Sequence, residues 1–156
     1  MTTPTSAAPA RPSNPADAAL FDAINAEHGT IYGYGLVSAH TTPEVNDLVA
    51  DALTQHRANR EAGIAALTAR SVPAPIPAAG YQMPGDVGNP DTAARAAVRM
   101  EEDTAVAWRA VAERAGTADD RKLAVKALTD CAVLAARWRQ VIGSTPVTVA
   151  FPGGSE

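Results

Sequence analysis

Leu20-Phe21-Asp22-Ala23-Ile24-Asn25-Ala26-Glu27-His28-Gly29-Thr30-Ile31-Tyr32-Gly33-Tyr34 is a helical stretch with an acid where its apolar stripe should carry a leucine. At about 100° per residue, Leu20, Ala23, Ile24, Ile31 and Tyr34 lie within roughly 60° of Glu27. Three later segments repeat the pattern. His56 is flanked on its face by Val49, Ala52, Leu53 and Leu67. Glu101 is flanked by Ala97, Val98, Ala105 and Trp108, and Asp130 by Leu123, Ala127, Val133, Leu134 and Val141. One ionisable residue at the centre of each of four stripes predicts an all-α, antiparallel four-helix bundle with a polar layer across its middle.

The boundaries follow from capping signals. Asn14-Pro15, Thr42-Pro43 and Asn89-Pro90 each place a side-chain acceptor at the N-cap and proline at the first helical position. Asp17, Glu44 and Asp91 follow in the first turns, where the helix dipole favours them. Thr117-Ala118-Asp119-Asp120 resembles a capping box with Asp in the place of Glu. Helices are therefore predicted over 15–40, 43–70, 90–115 and 118–142, with Gly116 and Gly143 as C-terminal stops. The short links near Thr41 and Gly116 make antiparallel hairpins. Between them Ser71 to Asn89, with Pro73, Pro75, Pro77 and Pro84, suits one long crossover from helix 2 to helix 3. Residues 1–13 read as a disordered arm, 14–143 as the bundle and 144–156 as an extended tail packed on it, with Val147, Val149 and Phe151 alternating onto one side.

Composition narrows the function classes. A chain of 156 residues makes one domain, and 46% hydrophobic content with only 4% aromatic suits closely packed, alanine-rich helices. A net charge of −4, without a basic stripe, argues against nucleic-acid binding. No apolar run approaches the ~20 residues of a membrane span, and Met1 to Ser13 has no signal-peptide character, so a cytoplasmic protein off the membrane is expected. Cys131 is the single cysteine. It sits about 100° from Asp130, which predicts a half-buried small residue.

Level as well as face unites the polar residues. Glu27 and His56 are symmetric about the first turn, and Glu101 and Asp130 about the second, each pair 29 apart (56 − 27; 130 − 101). Glu27 should therefore face His56, and Glu101 should face Asp130. An offset of 74 (101 − 27; 130 − 56) matches Glu27 with Glu101 and His56 with Asp130, suggesting an internal hairpin repeat. Three carboxylates and an imidazole need compensation in a dry layer, from protons, water, a cation or basic partners. Arg60, about 40° from His56, and Arg137, about 20° from Asp130, are the expected basic partners. Asn59 and Tyr34 are further polar neighbours, the Tyr34 hydroxyl needing an acceptor.

Ala26-Glu27-His28-Gly29-Thr30-Ile31-Tyr32-Gly33-Tyr34-Gly35, Gln55-His56-Arg57, Arg99-Met100-Glu101-Glu102, Ala107-Trp108-Arg109-Ala110 and Ala135-Ala136-Arg137-Trp138-Arg139 resemble the actinobacterial ferritin-like domain family of uncharacterised function. The resemblance spans about residues 17–152 and implies a ferritin-like bundle, often paired as a homodimer, without an established activity. Di-iron members of the wider superfamily use one Glu on two helices and Glu-x-x-His on the other two. Glu27 and Glu101 match the single-Glu positions. Leu53 or Asn59, and Val133, stand where the motifs require further ligands. The leading expectation is thus a non-enzymatic structural or interaction protein without a cofactor, its degenerate metal layer closed by salt bridges. The alternative is an oxidoreductase holding one Fe, Mn or Zn ion on Glu27, His56, Glu101 and Asp130. A third reading is a small-molecule pocket over Tyr34 and Trp108.

The remaining residues carry plainer expectations. His28 should lie at the rim and His40 should favour its helix C-terminus. Trp108 and Trp138 read as core anchors, and Arg99, Arg109 and Arg139 as surface residues. Gly29, Gly33 and Gly35 suggest close approach of another helix, including one across a dimer.

Overall fold

The computed structural model describes residues 7–154. Helix α1 spans Pro15–His40, α2 Asn46–Thr68, α3 Pro90–Arg114 and α4 Ala118–Val141, and the described residues contain no strand. Three starts are closed by their caps. The Asn14 side chain accepts from the Ala16 and Asp17 amides, Asn89 and Thr92 form a reciprocal capping box, and Thr117 accepts from the Asp120 amide. Thr42 makes no such bond. The chain there passes through a 3-10 turn, Pro43–Val45, so α2 starts three residues later than the Thr42-Pro43 signal implied. Gly143 takes a left-handed φ of 64° after α4, whereas α3 ends at Arg114 with no left-handed residue at Gly116.

α1 packs on α2 and α3, and α4 packs on α3 and α2. Tyr34 meets Glu101 while Glu27 meets Trp108, so α1 and α3 run antiparallel. Arg137–Asp51 and Arg70–Asp120 show the same for α2 and α4. With α1 and α2 a hairpin, α2 and α3 point the same way across a diagonal. The segment from 71 to 89 passes along α1, where Pro75 O accepts from His28 Nε2 at 3.2 Å and the Tyr32 and Tyr81 rings lie 5.6 Å apart. His28 is therefore buried under this segment rather than placed at the rim.

The glycine run in α1 serves this same chain. A β-carbon on Gly29 would meet the Tyr81 ring, and one on Gly33 would meet Met83 and Met100, while Gly35 faces open space. Of the amino-terminal arm, residues 1–6 lie outside the described residues. Within the rest, Arg11 forks onto Asp22 at 2.7 and 2.8 Å. The tail, described to residue 154, is held by Arg139 Nη1 on Val147 O (3.1 Å) and by Gly153, whose missing β-carbon would lie 2.6 Å from Ala105 O. Phe151 is 68% exposed, so the alternation expected of the tail does not bury it. Arg139, expected at the surface, is buried between the tail and Glu102.

The apolar core divides in two. One cluster, with Tyr34, Val37, Leu48, Leu134 and Trp138, lies toward the α1–α2 turn. The other, with Leu20, Ile24, Leu67, Trp108 and Cys131, lies toward the opposite end. The polar residues occupy the seam between them. At the far end, Arg70 after α2 joins Asp17 of α1 (2.7 Å) to Asp120 of α4, tying three helix ends together.

Candidate functional site: the buried polar layer

Glu27, His56 and Glu101 meet at the bundle centre, and none of the three has solvent exposure. His56 Nδ1 donates to Glu27 Oε2 at 2.7 Å, and Nε2 donates to Glu101 Oε1 at 3.0 Å. The imidazole thus lies between the carboxylates, one on each ring nitrogen. Trp108 Nε1 donates to the other Glu27 oxygen at 2.6 Å. Tyr34 donates its hydroxyl to Glu101 Oε1 in a short bond, and Trp138 Nε1 donates to the Tyr34 oxygen at 2.8 Å. Trp138, Tyr34, Glu101, His56, Glu27 and Trp108 form one hydrogen-bonded chain drawn from all four helices. The two tryptophans are donors as well as core anchors, a role that bulk and position alone do not reveal.

The electrostatics follow from the donors. Burial alone would lower the His56 pKa, but the Glu101 and Glu27 carboxylates outweigh it and push it up to about 10. At neutral pH the ring is therefore an imidazolium that donates from both nitrogens. Burial, and then the Glu101 carboxylate, raise the Tyr34 phenol well above its ordinary range, keeping it a donor. One acceptor is left over: Glu101 Oε2 is buried with no nitrogen or oxygen donor. Beside it stands Cys131, fully buried, its thiol pushed up by burial, by the Glu101, Glu27 and Asp130 charges, and by its hydrogen bond to the Glu101 side chain.

Asp130 is not in this layer. It is only partly buried, and it accepts from Asn59 Nδ2 at 3.1 Å and pairs with Lys126 Nζ at 2.6 Å; Lys126 also reaches Asn59 Oδ1 at 3.2 Å. The buried line of α4 runs through Ala124, Ala127, Cys131, Leu134 and Trp138, alternating steps of three and four. Cys131 is its centre. Val133 and Val141, which drew the expected stripe toward Asp130, are 52% and 46% exposed. Lys126, four residues before Asp130 on the same face of the helix, carries the sequence signal for this pair.

The two arginines are also elsewhere. Arg60 pairs with its neighbour Glu61 at 2.7 Å, and Arg137 with Asp51 at 2.9 Å, both at the surface. Their long side chains reach water and avoid the cost of desolvating a guanidinium, while His56 supplies the positive charge from within. Tyr34 and Trp108 are fully buried in the hydrogen-bonded chain, so neither lines an open pocket. An apolar groove of about 430 Å³ lies instead between α4 and the tail, lined by Leu128, Val133, Ala136 and Val149.

A domain described as "Domain of unknown function (DUF4439)" matches residues 19–156. The chain belongs to the DUF4439 family. A solved structure, that of a conserved hypothetical protein, rv2844, from Mycobacterium tuberculosis, is 60% identical, covering 88% of this chain and 96% of that one with a TM-score of 0.81. No curated protein matches the chain. Among the described residues of this DUF4439 member, no helix is long and apolar enough to cross a membrane.

The residues present do not fit a dinuclear iron centre. Asn59 is bound to Asp130, Val133 is half exposed, and Leu53 offers no ligand atom. Nor do Glu27, His56, Glu101 and Asp130 converge on one point, because Glu27 and Glu101 occupy opposite nitrogens of the imidazole and Asp130 lies outside the layer.

Proposed function

We propose that this chain is a ferritin-like bundle acting as a structural or interaction protein, not as an iron oxidoreductase. The observation that carries this reading is the His56 imidazolium held between Glu27 and Glu101. A polar layer of this kind stabilises one register of four helices, because any slip leaves buried charges unpaired. The ferritin-like assignment is supported by the antiparallel neighbours and by the 71–89 segment laid along α1. The homodimer implied by the family resemblance belongs to the same reading, and light scattering on the full chain tests it.

Iron chemistry gives the sharper test. Ferrous ion added anaerobically, followed by air, should oxidise no faster with the protein than in buffer. Repeated turnover of stoichiometric iron, lost in Glu101→Gln, would overturn the proposal.

A further inference from the structure

We propose that Cys131, His56 and Glu101 form a buried site for one thiophilic divalent cation of the zinc or cobalt class, with Glu27 orienting the imidazole. The site shares His56 and Glu101 with the layer described above, and filling it replaces the Nε2–H bond to Glu101 with bonds to the metal. Cys131 stands as the α4 ligand in place of Asp130.

Geometry is the first support. One sulfur, one imidazole nitrogen and one carboxylate oxygen from these residues lie within 4.8 Å of one another. Around a tetrahedral zinc-sized ion, with bonds of roughly 2.0–2.3 Å, neighbouring ligand atoms stand roughly 3.3–3.8 Å apart. His56 Nε2 and Glu101 Oε1, 3.0 Å apart, need only a slight separation to reach that spacing. The sulfur closes in from no more than 4.8 Å.

The second support is Glu101 Oε2, buried with no nitrogen or oxygen donor and only the Cys131 thiol, a weak donor, beside it. A buried acceptor so weakly satisfied is unfavourable, and a cation bound there would satisfy it. Glu101 can supply one oxygen or both, which completes a four-coordinate shell without water. The third support is the arrangement behind the histidine. Glu27 accepts from Nδ1 and is itself fixed by Trp108, leaving Nε2 directed toward Glu101. A carboxylate behind a ligating histidine sets its tautomer and raises its basicity.

The exchange balances. Metal-free, the layer holds two carboxylates, one imidazolium and a neutral thiol, a net charge of −1. Binding M²⁺ forms metal–sulfur, metal–nitrogen and metal–oxygen bonds and breaks the Sγ–H and Nε2–H bonds, both protons leaving to solvent. Two carboxylates, a thiolate, a neutral imidazole and M²⁺ again total −1. No electron moves, and no second charge need be brought into the core. The thiolate favours zinc or cobalt over magnesium or calcium.

Cobalt(II) is the probe. Full-length protein, purified without a nickel column and stripped with chelator, is refolded with Co²⁺ so that the buried site can fill. One ion per chain is expected, with a near-ultraviolet thiolate-to-cobalt band, the visible bands of tetrahedral cobalt, and release of about two protons per ion near neutral pH. The thiolate band should vanish in Cys131→Ser and in Cys131→Ala, with helicity retained by circular dichroism. Glu27→Gln should keep the band and weaken the affinity by about 10-fold or more. Folded wild type that takes up no cobalt, or takes it up without a thiolate band, overturns the site. So does a band that survives in both Cys131 variants, and unchanged affinity in Glu27→Gln overturns the orienting role. Iron turnover is a separate measurement, so either proposal can fail alone.

Discussion

Two polar clusters of similar chemistry stand close together in this bundle and obey different rules. In the central layer, His56 joins Glu27 and Glu101 with no exposure on any of the three. At the α2–α4 edge, Asn59 and Lys126 hold Asp130, with the Asp130 side chain 20% and the Lys126 side chain 58% exposed. Each has a basic group, carboxylate and hydrogen-bond donors. The inner one cannot exchange a lost partner for water, whereas the outer one can. The strength of each interaction is therefore set less by its 2.6–3.0 Å distances than by what replaces it when it breaks.

The largest effect should come from removing the inner cation. In chelator-treated protein, His56→Ala leaves two buried carboxylates without their counter-charge, and chemical denaturation should report a loss of about 3–5 kcal/mol. A loss below about 1 kcal/mol would mean that water reaches the layer and that the inner and outer clusters do not differ. Trp108→Phe keeps most of the ring volume but removes the donor to Glu27 Oε1. It should cost about 1–3 kcal/mol by the same measurement.

pH separates the clusters without a large structural change. The folded pKa of His56, about 10, lies above its ordinary 6.5, so the folded state holds the proton more tightly than the unfolded state. The groups facing the ring are Glu27 and Tyr34 of α1, Glu101 of α3 and Cys131 of α4. The stability due to His56 is complete below about pH 6.5 and is lost as pH rises through 10. Metal-free wild type should lose its advantage over His56→Ala across that window, at a slope approaching about 1.4 kcal/mol per pH unit. A constant gap between the two proteins from pH 6.5 to 10 would contradict an imidazolium in the layer.

Periodicity made the bundle legible because three helices have their acid or histidine at the true centre of the buried face. Glu27, His56 and Glu101 each interrupt a stripe whose flanking residues are buried or, at Ile31 and Leu53, partly buried. α4 misleads the same method. Its exterior carries Val125, Val133 and Val141, all about half exposed, and its interior is largely alanine, so hydrophobicity points about 100° away from the buried line. Trp138, Leu134 and Ala127 held the better signal, since their spacing of four and seven centres the face on Cys131. The arginines depart from the helical-angle expectation for a different reason. Angle on a helix locates a Cβ, but a long side chain ends where its charge is best solvated, as with Arg60 on Glu61 and Arg137 on Asp51. The reach of Arg70 to Asp17 and Asp120 depends on three helix ends meeting, which no single-helix pattern encodes.

The smallest effect is expected at the edge, and it decides whether the comparison holds. Asp130→Asn removes the charge paired with Lys126 but leaves an amide that can still accept from Asn59. Lys126 loses little because its ammonium is already largely hydrated. Exposed i, i+4 pairs of this kind contribute about 0.3–0.5 kcal/mol, so the variant should fall by less than about 1 kcal/mol, and less still at high salt. If Asp130→Asn instead cost as much as Trp108→Phe, Asp130 would be coupled to the inner layer through Asn59. Combining Asp130→Asn with His56→Ala tests that coupling. Additive losses within about 0.5 kcal/mol keep the clusters separate, and a larger interaction energy joins them into one network.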